Sequence, residues 1–148
     1  MVADPDILDE ARALRRLVYR HPPTNIQYQM AHFLAQGHYE THLRRYHDDS
    51  ARRWDRLHDA LRIYLPECKT FGGSEHANAF WLSTPEHIST QQLTWRAAHA
   101  GVLIEPGARH FLDGAPPDNF FRMGFHAINP DAIVPGVEVL RGQLHQLA

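Results

Sequence analysis

Asn119-Phe120-Phe121-Arg122-Met123-Gly124-Phe125 is the stretch on which the reading of this chain turns. Side chains alternate between faces along a strand, so Phe121 and Met123 point one way and Phe120, Arg122 and Gly124 the other. The first face is apolar and suits a core. The second presents a guanidinium beside a glycine that leaves room for a ligand. An unpaired cation is costly to bury, which leaves two readings of Arg122. Either it forms an ion pair with a carboxylate of the chain such as Glu105, or it grips an anionic ligand. The planar guanidinium suits the second task because it meets a carboxylate with two parallel hydrogen bonds.

The segments around this strand alternate helix and strand. Asn129-Pro130 caps a final helix that buries Ile133, Val137, Leu140 and Leu144. Upstream, Val102-Leu103-Ile104 reads as a short, fully apolar strand bounded by Pro106-Gly107, and a loop follows from Ala108 to Asn119. Ser89 and Gln92 offer a capping box for a helix through Leu93, Ala97 and Ala98 that ends at Gly101. Residues 68–83, with Gly72-Gly73 and Ala77-Asn78-Ala79-Phe80-Trp81-Leu82, read as strand–turn–strand. Strand, helix, strand in that order predicts a crossover unit with a helix packed on a sheet.

The first half is helical. Asp4-Pro5 starts a helix whose apolar face is Ile7, Leu8, Ala11, Leu14, Leu17 and Val18, and Pro22-Pro23 ends it. Thr24 and Gln27 fit a second capping box, opening a helix through Met30, Phe33 and Leu34 that stops at Gly37. A long helix follows with Tyr39, Leu43, Tyr46, Ser50, Trp54, Leu57, Leu61 and Tyr64 on one stripe, and Pro66 closes it. The expected class is α+β: helices including one long helix, then a small sheet of three or four strands packed against helices.

Composition narrows the chemistry. The chain has 148 residues, 43% apolar and 22% charged, with a formal net charge of −2, so no strong global field draws it to nucleic acid or anionic lipid. Lys69 is its single lysine, and the arginine bias fits a GC-rich bacterial genome. Cys68 is its single cysteine, which excludes an internal disulfide framework. With no apolar run long enough for a membrane span and an acidic start at Met1-Val2-Ala3-Asp4, the expected location is cytoplasmic, with no membrane partner.

Twelve histidines invite a metal reading. His38 and His42 share a helical face, but the zinc protease pattern is broken at Tyr39 and spacing fixes no third ligand, so no metal site is expected. His76, His110 and His126 stay as candidates for an independent small enzyme. No Ser–His or Cys–His device can be assembled from spacing. The arginine-rich helix faces (Arg12, Arg15, Arg16, Arg20; Arg44, Arg45, Arg52, Arg53) are interleaved with acids and read as solvated, so no direct nucleic-acid contact is expected.

A family resemblance joins these pieces. Arg12-Ala-Leu-Arg-Arg-Leu leading into His21-Pro22-Pro23-Thr24-Asn25-Ile26-Gln27 resembles the C-terminal part of fold-type-I, pyridoxal-phosphate-dependent aminotransferases. More closely, it resembles the aminotransferase-like domain of MocR-type regulators of the GntR family. Gly37-His38-Tyr39 with His42-Leu43-Arg44-Arg45, Gly72-Gly73 with His76, and Ala100-Gly101-Val102-Leu103-Ile104-Glu105-Pro106-Gly107 continue the match, and the opening stretch completes it. It covers nearly the whole chain in collinear order.

The resemblance implies an interdomain helical segment over 1–37 and an aminotransferase-like C-terminal domain over 38–148, together one compact unit. It makes Arg122 the residue that binds the α-carboxylate of an amino acid or of its pyridoxal phosphate adduct. It places His21, Thr24 and Asn25 near the cofactor. It also implies what this stretch lacks: the Schiff-base lysine, the partners of the cofactor ring and the winged-helix DNA-binding domain. Pyridoxal phosphate is therefore expected in the intact parent and not on this chain alone. The expected function is the small-domain portion of such a transcription regulator or aminotransferase, inactive by itself, with the missing large domain as partner. The alternative is a stand-alone interaction module that self-associates through an exposed helical face.

Overall fold

A computed structural model describes residues 3–71, 77–112 and 114–148. Three helices come first: α1 (Pro5–Val18), α2 (Thr24–Ala35) and α3 (His38–Tyr64). The rest alternates as β1 (Lys69–Phe71), β2 (Ala79–Ser83), α4 (Thr90–His99), β3 (Glu105–Pro106), a 3-10 turn (Gly107–His110), β4 (Phe120–Gly124) and α5 (Pro130–His145). This is the α+β class that the sequence predicts. The chain divides within α3 into two units, Met1–Arg44 and Arg45–Ala148.

In the first unit α1 begins where expected, with the Asp4 side chain accepting from the Asp6 amide. It ends at Val18, before the prolines. The predicted box at Thr24 does not form. Pro23 is the capping residue, Thr24 is already helical, and the Gln27 side chain donates to the Pro22 carbonyl at 3.0 Å instead. Gly37 adopts φ 71°, the left-handed turn that lets α2 stop and α3 start. No residue of α1 or α2 is buried. The predicted apolar face of α1 thus exists as a pattern, but Ile7, Leu14, Leu17 and Val18 are exposed.

In the second unit three antiparallel pairings order the four-stranded sheet β1-β2-β4-β3. Because β2 and β3 both run antiparallel to the intervening β4, they are parallel to each other. α4 is their crossover, as predicted, with β4 inserted between them. The predicted strand at Val102–Ile104 is displaced. Pairing occurs one step later, with Glu105 opposite Arg122 and Pro106 opposite Phe121. Leu103 points into solvent while Ile104 enters the core, so the apolar run marks the approach to the strand rather than the strand.

One face of the sheet is the core. Phe80 and Leu82 on β2 and Phe121 and Met123 on β4 are buried against Leu57, Ala60 and Leu61 of α3, Leu93 and Ala97 of α4, and Ile133, Val137, Leu140 and Leu144 of α5. The helix caps read in the sequence hold. Ser89 accepts from the Gln92 amide, Asn129 from the Asp131 amide, and Gly101 (φ 87°) ends α4. Gly107 is required by close approach, since a Cβ there would lie 2.7 Å from the Phe120 carbonyl oxygen. Pro106-Gly107 thereby lets β3 lie against β4.

Candidate carboxylate-binding site

The start of β4 is fixed by buried hydroxyls. The fully buried Thr90 hydroxyl lies 2.9 Å from the Asp118 carbonyl and 2.8 Å from that of Phe120. The Thr84 amide donates to the Asn119 carbonyl at 2.8 Å, and the Asn119 side chain returns a bond to the Thr84 carbonyl at 3.1 Å. With Phe121 and Met123 locked in the core, Arg122 must emerge on the opposite, open face, as the alternation predicts.

On that face register builds a row across the sheet, from Phe71 to Trp81 to Arg122 to Glu105. Arg122 donates through Nη1 to Glu105 Oε2 at 3.1 Å, which is the ion pair that the sequence offered as the first of its two readings. The other carboxylate oxygen, Oε1, lies 3.5 Å from His110 Nε2 and 3.8 Å from Arg109 Nη1. Two arginines and a histidine therefore surround one carboxylate, and the cluster carries a net positive charge. The Arg122 and Glu105 side chains keep 35% and 34% exposure, which leaves the guanidinium reachable from solvent.

Aromatic rings border the cluster. Trp81 meets His110 edge-on at 5.4 Å and stacks on Phe120 at 5.8 Å, and Phe111 lies 5.6 Å from Phe120. Reading the sequence missed Trp81. Its signal was its place in β2, but only the register with β4 puts it beside Arg122. The positive cluster and its aromatic border suit a small carboxylate with an apolar portion.

The other candidates separate. His21, Thr24 and Asn25 belong to the first unit, where all three are exposed and His21 Nδ1 lies 3.3 Å from the Pro22 carbonyl. Gly72, Gly73 and His76 lie outside the described residues. His126 Nδ1 meets the Ser50 hydroxyl at 3.2 Å, with Tyr46 stacked on the ring at 5.2 Å. That pairing joins residues far apart in sequence, which spacing does not reveal. Ser50 is buried at 5% exposure, and the ring of His126 occupies its hydroxyl. Burial, with Glu67 beside it, pushes the Cys68 thiol up to about 12, so it is not a poised nucleophile. Among the described residues no group of three or more His, Cys, Asp or Glu is placed to hold a metal. No helix among them is long and apolar enough to cross a membrane.

Solved structures share this architecture. The α-aminoadipate aminotransferase LysN of Thermus thermophilus, complexed with N-(5'-phosphopyridoxyl)-L-leucine, superposes on 99% of the chain with a TM-score of 0.81 at 23% identity. The multiple substrate aminotransferase of Thermococcus profundus covers 98% with a TM-score of 0.84 at 21% identity. No family model matches. In sequence, 93% of the chain aligns with the HTH-type transcriptional regulator TauR of Rhodobacter capsulatus at 34% identity. The chain is similar to one segment of the MocR and TauR regulators and shares the fold of the matching part of aminotransferases. A Rhizobium meliloti protein described as a probable rhizopine catabolism regulatory protein, MocR, is 26% identical over 95% of this domain.

The domain spans only 28% of the TauR and MocR lengths and 37% of LysN. The surroundings of its single lysine do not suit the phosphate of pyridoxal phosphate. Lys69 is exposed on the edge strand β1, and the groove beside it also carries Glu67, Glu86 and Asp118. One cation against three carboxylates repels a phosphate.

Proposed function

We propose that this domain serves a larger aminotransferase-like transcription regulator, or an aminotransferase, as the part that supplies the arginine for a ligand carboxylate. The ligand class is an amino acid or its pyridoxal phosphate adduct. The observation that carries the reading is the position of Arg122, held rigid by a core strand and presented on the open face of the sheet among surplus positive charge. Relatives that are transcription regulators favour the first parent. The guanidinium would clamp and orient the carboxylate, and Trp81 would border the ligand's apolar part. His21, Thr24 and Asn25 would approach the cofactor in the assembled parent. The cofactor supplies the electron-withdrawing chemistry in such proteins, and the large domain that holds it is the partner this reading requires.

The domain alone should then neither fix the cofactor nor transaminate. Absorbance titration with pyridoxal phosphate, followed by borohydride reduction and mass spectrometry, is expected to give no specific adduct. A stoichiometric adduct at Lys69 would overturn this part of the reading.

A second reading is favoured by one observation. Leu17 is 84% exposed, Val18 67% and Leu14 62%, three apolar side chains on one face of α1. Self-association through α1 and α2 would cover it. Sedimentation equilibrium is expected to show mass rising with concentration under that reading, and a monomer at high concentration would exclude it.

A further inference from the structure

Arg122 already has an anion. Resting on the reading of Arg122 as a carboxylate clamp, we infer that Glu105 is a built-in competitor for that clamp, displaced by the ligand and received by Arg109 and His110. Four observations support the exchange. Register places Glu105 directly opposite Arg122, so the strand pairing itself delivers the carboxylate to the guanidinium. The contact uses one Arg122 nitrogen and one Glu105 oxygen, a single-point hold at 3.1 Å that a bidentate ligand carboxylate can outbid. The second Glu105 oxygen already lies 3.5 Å from His110 and 3.8 Å from Arg109, both looser than a formed bond and able to tighten. Finally, Arg109 is 67% exposed, so its side chain is free to follow the carboxylate.

Glu105 therefore sets the threshold of the site. With the ligand absent it neutralises Arg122. With the ligand present, two carboxylates face three basic groups, and the resident one swings toward the 3-10 turn. A small anion that only pairs with Arg122 displaces it at high concentration, whereas a ligand that also lays an apolar body against Trp81 does so at lower concentration. Glu105 acts through Arg122 and is a positioning residue.

The test is a titration of the full chain with acetate at constant ionic strength against chloride, followed by NMR at the indole N–H of Trp81, the residue opposite Arg122 in the ladder. Glu105→Gln is expected to bind acetate about three- to fivefold more tightly than the unaltered chain, the scale of one partly exposed ion pair. Glu105→Asp keeps the charge but shortens the reach by one methylene, and it is expected to fall between the two. Arg122→Gln should abolish the response in either background. Unchanged or weaker binding in Glu105→Gln, with the response still dependent on Arg122, would overturn the competitor while sparing the clamp. Tighter binding in Glu105→Gln but not in Glu105→Asp would reduce the effect to general charge and also overturn it. A response that survives Arg122→Gln would instead sink the clamp itself, and the competitor with it.

Discussion

Phe121→Ala is expected to destabilise the second unit by about 3–5 kcal/mol, the usual cost of truncating a fully buried phenylalanine. Phe121 has no exposed surface. It sits at the centre of the sheet, opposite Leu82 on one side and Pro106 on the other, with the core of α3, α4 and α5 beneath it. The surrounding core belongs to three helices and the two flanking strands, so it cannot collapse into the space without breaking the pairings that align it. A cavity term therefore adds to the lost burial. A domain of ordinary stability holds about 5–15 kcal/mol in total, so this one change removes a large share. Urea denaturation followed by circular dichroism checks it. The midpoint should fall sharply, while a loss under about 1 kcal/mol would mean that the sheet face is less tightly packed than described.

The same strand shows why the sequence was legible where it was. Alternation assigned Phe121 and Met123 to the core and Arg122 to the open face, because a strand pinned by a crowded core leaves its other face no choice. Local signals worked equally well for helix ends at Asp4, Ser89, Gly101 and Asn129, where one side chain or one backbone angle decides. At Thr24 the local signal failed because Pro23 took the capping position and Gln27 found the Pro22 carbonyl. At Val102–Ile104 hydrophobicity marked burial correctly but not pairing, since β4 sets the register and places Glu105 rather than Ile104 in the ladder.

The site was half legible for the same reason. Arg122 and its possible partner Glu105 could be named from charge in an apolar context. Trp81, Arg109 and the Ser50–His126 contact depend on register and on helix packing, which no short window contains. The helical face of α1 was read as a pattern, but burial is a property of the whole arrangement, and α1 buries nothing.

Arg122→Gln is the second large effect. Its side chain carries the only cation in the row Phe71–Trp81–Arg122–Glu105. A charged hydrogen bond to a carboxylate is worth about 1.5–3 kcal/mol, so its loss should weaken carboxylate binding at least about tenfold. Gln keeps polarity and much of the length, and the site lies off the core face, so the fold should persist. Glu105 would then be left facing Arg109 and His110, which hold it. The fold of the variant is checked by its dispersed amide spectrum before binding is judged.

The most direct measurement of the carboxylate clamp is thus the acetate titration of the unaltered chain beside Arg122→Gln, at constant ionic strength and read at the Trp81 indole N–H. The clamp predicts a saturable shift in the unaltered chain that is absent in the variant. An equal shift in both would show that the carboxylate is bound elsewhere, and Arg122 would then be only the structural partner of Glu105.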